Sequence, residues 1–96
     1  MTAYWIARAA VLDPEQYGRY AERVPAILAE HGGRILARGG AYRTLEGPEE
    51  FERFVVVEFP SMDDAVRCFE SPAYVEAAAF RRGGAGRNEL TIVEGF

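Results

Sequence analysis

Apolar and polar residues alternate along four segments of the chain in a pattern that predicts four β-strands. Residues 3–11 combine Trp, Ile, Val and Tyr with no Gly or Pro, which is typical of a buried strand. Residues 34–45 alternate, residues 51–59 form a β-branched and aromatic run that ends at a proline, and residues 89–96 alternate again. A short polar turn separates the second and third segments, so we expect them to form a hairpin.

Two stretches between these strands have apolar residues at helical spacing. The first covers about residues 14–31, with an aspartate at its N-cap, a proline in its first turn and a Gly-Gly pair after its last turn. Pro25 lies inside this helix and removes one backbone hydrogen bond, so we predict a kink rather than two helices. Ser61 and Ser71 are both typical N-cap residues, and each is followed by residues common in the first turn of a helix. The second helical region is therefore predicted to be broken into two helices.

The predicted order of strand, helix, strand, strand, helix, strand is the split βαβ arrangement of a ferredoxin-like α+β fold. A chain of 96 residues has material for one hydrophobic core, so we assign residues 1–96 to a single domain with a four-stranded antiparallel sheet. One layer of helices covers only one face of such a sheet, whereas both faces of the first and third strands are apolar or aromatic. We therefore expect a second copy of the chain to cover the other face in a homodimer.

Charge and composition exclude several classes of function. The net charge is −4 and all eleven basic residues are arginine, so nucleic acid is not an expected partner and no lysine can anchor pyridoxal phosphate. A single cysteine, Cys68, and a single histidine, His31, cannot supply a zinc site, and we expect neither a metal nor a cofactor.

Because no apolar run approaches about 20 residues and no leader-like segment opens the chain, we expect a cytoplasmic protein with no membrane partner. Arginine without lysine also indicates a GC-rich bacterial genome.

Short motifs along nearly the whole chain resemble one known family. They are Ala3-Tyr4-Trp5-Ile6-Ala7-Arg8, Asp13-Pro14 followed by Tyr17 and Tyr20, Gly32-Gly33-Arg34-Ile35-Leu36-Ala37-Arg38-Gly39-Gly40, Glu46-Gly47, Val56-Val57-Glu58-Phe59-Pro60-Ser61, Ser71-Pro72 with Tyr74, Arg81, and Val93-Glu94-Gly95. This pattern is similar to family 1330 of the domains of unknown function. The resemblance implies a ferredoxin-like domain that pairs into a dimeric α/β barrel, and it implies no particular activity.

Polar residues on the apolar strands are the main candidates for a site. Arg8, Arg38 and Tyr42 share the phase of the face opposite the helices, and Glu58 can join them from the third strand. A charge on a covered face must be paired, which predicts an Arg38–Glu58 or an Arg8–Glu58 ion pair. One interpretation is a buried pair that only fixes register and dimer geometry. The other is a pocket, lined by Arg8 and Tyr42, in which Arg38 binds a carboxylate or enolate and Glu58 acts as a base or orienting group.

Tyr74 and Arg81 are seven residues apart on one helix face, so both can reach the same cleft and contact a ligand. The alternative is a core tyrosine and an arginine that stabilises the negative end of the helix. Members of the superfamily that the resemblance indicates oxidise or isomerise small phenols and lactones. This fold-level analogy implies a cofactor-independent enzyme or a protein that binds small anionic or aromatic metabolites. The competing hypothesis is a non-catalytic dimerisation or ligand-sensing module.

Overall fold

A computed structural model describes all 96 residues and has the predicted order of elements. Its elements are β1 (Ala3–Val11), α1 (Pro14–Glu30), β2 (Arg34–Arg38), β3 (Arg53–Phe59), α2 (Met62–Glu70), α3 (Pro72–Arg82) and β4 (Gly86–Glu94). The four strands form one antiparallel sheet in the order β2-β3-β1-β4. The predicted α+β class and the four-stranded antiparallel sheet are confirmed.

Side-chain caps begin the helices where the sequence predicted. The Asp13 carboxylate accepts a hydrogen bond from a backbone N–H in the first turn of α1 at 3.3 Å. The Ser61 hydroxyl accepts from the backbone of α2, and the Ser71 hydroxyl accepts from the Tyr74 N–H of α3 at 3.2 Å. The predicted break between α2 and α3 is therefore confirmed, and α1 continues through Pro25 as one helix.

The core lies between one face of the sheet and the three helices. Alternate residues of β1, including Trp5, point to this face and are buried. The Trp5 ring packs against Phe59, Phe69 and Tyr74, with ring centroids 5.7, 5.9 and 5.3 Å away. The Trp5 indole thereby contacts β3, α2 and α3 at once.

The opposite face of the sheet has no helix over it. Ile6 of β1 and Val93 of β4 lie on this face and are each 47% exposed, while Phe54 and Val56 of β3 are half-buried. A monomer therefore leaves an apolar sheet surface in contact with water. None of the three helices has the length and hydropathy needed to cross a membrane.

The second strand is shorter than predicted and contains a β-bulge. Ile35 pairs with Val57 but Ala37 pairs with Val56, so Leu36 is the extra residue. A one-residue shift moves the following side chains to the other face, and Arg38 therefore points toward the helices. The prediction that Arg38 lies on the uncovered face is wrong for this reason.

Beyond Arg38 the chain leaves the sheet. Gly39 has φ +65°, a left-handed conformation that a glycine adopts without strain, and residues 40–52 form an irregular loop rather than the predicted end of the strand. The Arg- and Gly-rich segment after α3 is shorter than predicted, because β4 already begins at Gly86. Arg87 of that strand pairs with Glu50 of the loop at 2.9 Å.

Candidate functional site

A cavity of about 30 Å³ lies between α1 and the sheet. Its walls are mostly apolar and include Trp5 and Val55 from the strands and Tyr17, Tyr20 and Val24 from α1. Such a volume holds about two water molecules. A larger ligand can enter only if side chains at the cavity move.

Three arginines line this cavity, but the Arg8 guanidinium pairs with Glu89 on the other face of the sheet, so only Arg38 and Arg53 contribute free charge. Arg38 is exposed and Arg53 is half-buried, and neither guanidinium forms an ion pair with a carboxylate. No Asp, Glu, His or Cys lines the cavity. The cavity is therefore electropositive, and its field attracts an anion to the solvent side.

One donor of Arg38 has a structural role. Its Nη2 donates a hydrogen bond to the backbone carbonyl of Ala21 at 2.6 Å. In a regular helix that carbonyl accepts from the residue four positions later, which here is Pro25 and has no N–H. Arg38 thus replaces the hydrogen bond that proline removes from α1, and its remaining N–H groups stay available.

Tyr17 and Asn88 form a polar pair in the cavity wall. The Asn88 amide donates to the Tyr17 hydroxyl at 3.2 Å, and the Asn88 Oδ1 is buried without a hydrogen-bond partner. Burial raises the pKa of Tyr17, so its phenol stays protonated. A side chain at Gly86 would lie within 2.6 Å of the Tyr17 ring, which explains why glycine begins β4 there.

Behind the cavity, three buried side chains from α1 and α3 form a hydrogen-bonded cluster. The Tyr20 and Tyr74 hydroxyl oxygens are 2.7 Å apart, and Arg81 Nη2 donates to the Tyr74 hydroxyl at 3.2 Å. Tyr74 is 0% exposed, Tyr20 8% and Arg81 7%. The Arg81 guanidinium also lies 4.9 Å from the centre of the Tyr20 ring, and its Nε has no hydrogen-bond partner. We call these residues the Tyr20–Tyr74–Arg81 cluster.

This cluster contains a buried cation without a carboxylate. Burial disfavours the charged guanidinium, but the Tyr74 and Tyr20 hydroxyls outweigh that effect and hold the pKa of Arg81 above its ordinary value. Burial and the neighbouring Tyr74 raise the pKa of Tyr20, so its phenol is protonated. The predicted proximity of Tyr74 and Arg81 is confirmed, although both lie in the interior rather than at a cleft mouth.

The ion pairs predicted on the uncovered face are wrong in their partners. Arg8 pairs with Glu89 of the neighbouring strand at 2.8 Å, and its guanidinium lies 4.2 Å from the centre of the Phe51 ring. Glu58 lies 3.8 Å from Arg34. Arg34 precedes the bulge in β2, so its side chain lies on the uncovered face together with Glu58. Both pairs are partly exposed and have ordinary structural explanations.

Tyr42 lies in the loop after β2 and not in a strand. It is 52% exposed, and its ring packs against Phe54 of β3 with centroids 4.9 Å apart. Together with Arg8, the loop residues 43–46 and Pro48, it borders an open groove on the uncovered face. The structure therefore divides the predicted side chains between the two sides of the sheet. On the helix-covered side, Arg38 lies at the cavity and Tyr74 and Arg81 lie behind it. The side chains of Arg8, Tyr42 and Glu58 lie on the uncovered side.

The sequence pattern did not indicate Arg53 or Asn88 as site residues, and Tyr17 and Tyr20 were recognised only as part of the family motif. The position of Arg53 and Asn88 at one cavity is evident only once the strands are paired, because the two residues belong to different strands on either side of β1. Cys68 is fully buried and burial raises its pKa to about 11, so its thiol stays protonated and unreactive.

Comparisons with known proteins agree with the fold. The model of the family described as a domain of unknown function, DUF1330, matches residues 2–96. No curated protein matches the chain.

Three solved structures share the architecture at low sequence identity. RPA0582 from Rhodopseudomonas palustris, a protein of unknown function, has a TM-score of 0.79 and 19% identity, covering 99% of this chain and 82% of that one. SnoaB from Streptomyces nogalater, a cofactor-independent oxygenase, has a TM-score of 0.66 and 15% identity over 99% and 93%. A dimeric protein of unknown function and ferredoxin-like fold from Bacteroides fragilis NCTC 9343 has a TM-score of 0.65 and 16% identity over 98% and 96%. The ferredoxin-like fold is thereby confirmed.

Proposed function

This chain belongs to the DUF1330 family, and we propose that it is a homodimer that binds a small anionic or aromatic metabolite. The proposed site is the cavity between α1 and the sheet. The observation that supports it is a mostly apolar cavity lined by two guanidiniums, Arg38 and Arg53, that no carboxylate neutralises. An apolar pocket with a few convergent polar groups is the usual form of a small-molecule site.

The charge and the lining residues of the cavity support a proposal for the class of ligand. Arg38 and Arg53 can pair with a carboxylate or an enolate, because a guanidinium presents parallel N–H groups to a planar anion. Trp5 and Tyr17 offer aromatic surface to the rest of the ligand. A cofactor-independent oxygenase or isomerase reaction is the catalytic form of this proposal, since SnoaB has such an activity on the same fold.

A thermal-shift screen against small carboxylates, phenols, quinols and lactones tests the site. A ligand at 100 times its dissociation constant stabilises the folded state by about 2.7 kcal/mol, which raises Tm by roughly 10–20 °C in a domain of this size. We expect the ligand-induced shift to fall by more than half in Arg53→Ala and in Arg38→Ala. Oxygen uptake and product analysis on the same samples then report whether binding leads to turnover.

Arg34→Ala is the matched control for the screen, because Arg34 belongs to the same strand as Arg38 but lies on the uncovered face beside Glu58. Its ligand-induced shift should equal that of the wild type. Arg38→Ala also loses the hydrogen bond to Ala21, so the comparison uses the shift caused by the ligand and not the absolute Tm. An undiminished shift in both cavity variants contradicts the proposed site.

The second candidate function is a non-catalytic ligand-sensing or dimerisation module. It is favoured by one observation, which is that the cavity contains no carboxylate, histidine or thiol that could act as a general base. Glu58, the base expected from the sequence, lies on the opposite face of the sheet and cannot reach a ligand in the cavity. Binding without turnover in the screen supports this alternative.

The homodimer is proposed to form through the uncovered face of the sheet. Ile6 and Val93 are half-exposed there, and a second copy that covers them removes apolar surface from water. We expect sedimentation equilibrium to give the mass of two chains, and Ile6→Asp to shift the equilibrium to one chain because it places a charge in the interface. Val75→Asp, an equally exposed position on α3, is the control and should remain dimeric. A wild type that sediments as one chain contradicts the dimer.

A further inference from the structure

Arg81 is a buried charge whose hydrogen bonds go only to a phenol. It is 7% exposed, its Nη2 donates to Tyr74, and no Asp or Glu pairs with it. A buried charge is ordinarily paired, because desolvation costs several kcal/mol per ion. The positive field of this guanidinium is therefore not cancelled locally and extends through Tyr74 and Tyr20 toward the cavity that Tyr20 lines.

The hydrogen bonds of the Tyr20–Tyr74–Arg81 cluster have a direction. Arginine only donates, so the Tyr74 oxygen accepts from Arg81. The Tyr20 and Tyr74 hydroxyls are 2.7 Å apart and either can donate, but a fully buried hydroxyl hydrogen needs an acceptor, so we assign Tyr74 as the donor to the Tyr20 oxygen. The Tyr20 oxygen is then an acceptor, and the Tyr20 hydroxyl hydrogen is left without a protein acceptor.

We infer that the Tyr20 hydroxyl donates to an oxyanion of the ligand, a phenolate or an enolate, with Tyr74 and Arg81 as positioning residues. This inference rests on the proposed function, because it assigns the inner wall of the same cavity. Arg81 polarises Tyr74, and Tyr74 polarises Tyr20, which strengthens the donor that faces the ligand. The cavity then selects the ionised form of a phenol or enol over the neutral form.

The other charged and titratable groups around Tyr20 favour the same selection. On its own helix it contacts Tyr17, with ring centroids 5.4 Å apart, and from α3 it is faced by Tyr74 and Arg81. From the sheet, Arg53 lies 5.9 Å from the centre of the Tyr17 ring. The titratable groups of the cluster and the cavity are thus arginines and protonated phenols, which stabilise negative charge and offer no base that competes for the proton.

An absorbance titration of bound 4-nitrophenol tests the inference, because the colour of this probe reports its own ionisation. We expect the ionisation midpoint of the probe bound to the wild-type protein to lie at least about one pH unit below that of the free probe, a tenfold change in the ionisation constant. The sign follows from tighter binding of the anion. Affinity therefore rises as pH increases and levels off above the midpoint of the free probe.

Two variants separate the Tyr20 donor from the arginines at the solvent side of the cavity. Tyr20→Phe should still bind 4-nitrophenol, because the ring remains, but should return the bound midpoint most of the way to the free value. Tyr4→Phe makes the same change on the uncovered face of the sheet and should leave the lowered midpoint intact. If Tyr20→Phe does not fold, Arg81→Met removes the charge that polarises Tyr74 and Tyr20 and should reduce the lowering.

The possible results distinguish this inference from the proposed function. Binding of 4-nitrophenol to the wild type with an unshifted midpoint overturns the oxyanion role of Tyr20 and leaves the cavity as a binding site. A lowered midpoint that persists in Tyr20→Phe assigns the effect to Arg38 and Arg53 and also overturns it. Failure of the wild type to bind 4-nitrophenol, in a screen where carboxylates do bind, overturns the inference alone, and failure to bind either class contradicts both.

Discussion

Replacing Trp5 with alanine is expected to lower the free energy of unfolding by about 3–5 kcal/mol. Trp5 is 2% exposed, and its indole contacts Phe59, Phe69 and Tyr74 at the centre of the core. The neighbours belong to a strand and two helices, so the site cannot collapse around alanine without moving whole elements. Urea denaturation at a fixed protein concentration measures the loss, which corresponds to a fall in Tm on the order of 20 °C.

Leu45→Ala is the control for this substitution. Leu45 is 83% exposed in the loop after β2, and truncating it should change the free energy of unfolding by no more than about 0.5 kcal/mol. A loss below about 1 kcal/mol in Trp5→Ala would show that the indole is not the centre of the core. Since a domain of this size has a total stability of roughly 5–14 kcal/mol, the expected loss is a large fraction of the whole.

Tyr74→Phe is expected to be much more destabilising than the loss of one oxygen atom suggests, by about 2–4 kcal/mol. The reason is the group that remains. Without the Tyr74 hydroxyl, the Arg81 guanidinium keeps its charge in the interior and loses the hydrogen bond that compensates its burial. Tyr20 loses its hydroxyl partner as well. Equilibrium denaturation of the variant measures the effect.

Arg81→Met is the variant to compare with Tyr74→Phe. It removes the buried charge, so no hydrogen-bond acceptor from Tyr74 is needed. Replacing a buried ion with an apolar side chain of similar volume is often close to neutral, so we expect a loss below about 1.5 kcal/mol. In the Arg81→Met background, Tyr74→Phe should then cost about 1 kcal/mol or less. If Arg81→Met is the more damaging single change, the guanidinium is itself a net source of stability and the argument from buried charge fails.

Local signals in the sequence are strong enough to predict the order of the elements. Asp13, Ser61 and Ser71 each supply a side-chain cap, and the structure uses all three to begin helices. The apolar run of β1 has no breaker, and its predicted bounds agree with the structure. These features depend on neighbours a few residues apart, which is why one sequence suffices to find them.

The position of Arg38 could not be predicted, because it depends on a bulge that leaves no local signature. Leu36 is an ordinary apolar residue in an alternating segment, and its place outside the ladder is evident only from the pairing with β3. The reason becomes clear in three dimensions, since the bulge turns Arg38 toward the Ala21 carbonyl that Pro25 leaves without a donor. The proline and the arginine, each noticed separately in the sequence, are parts of one arrangement.

The Tyr20–Tyr74–Arg81 cluster was predicted only in part. The spacing of Tyr74 and Arg81 along α3 indicates a shared face, and the hydrogen bond between them agrees with it. The contribution of Tyr20 depends on how α1 packs against α3, and its hydroxyl meets Tyr74 from a position 54 residues earlier in the chain. Amphipathic spacing indicates that such a residue is buried, but it does not specify which polar groups meet in the interior.

The bulged strand β2 also affects how the folded protein resists aggregation. It is an edge of the sheet, only five residues long, with an arginine at each end and the ladder interrupted at Leu36. Short, charged and irregular edges are poor templates for an incoming strand. The other edge, β4, is regular over nine residues, so strand addition between molecules is expected to proceed from β4 and to stop at β2. The irregularity that places Arg38 beside α1 thereby also protects one side of the sheet from uncontrolled growth.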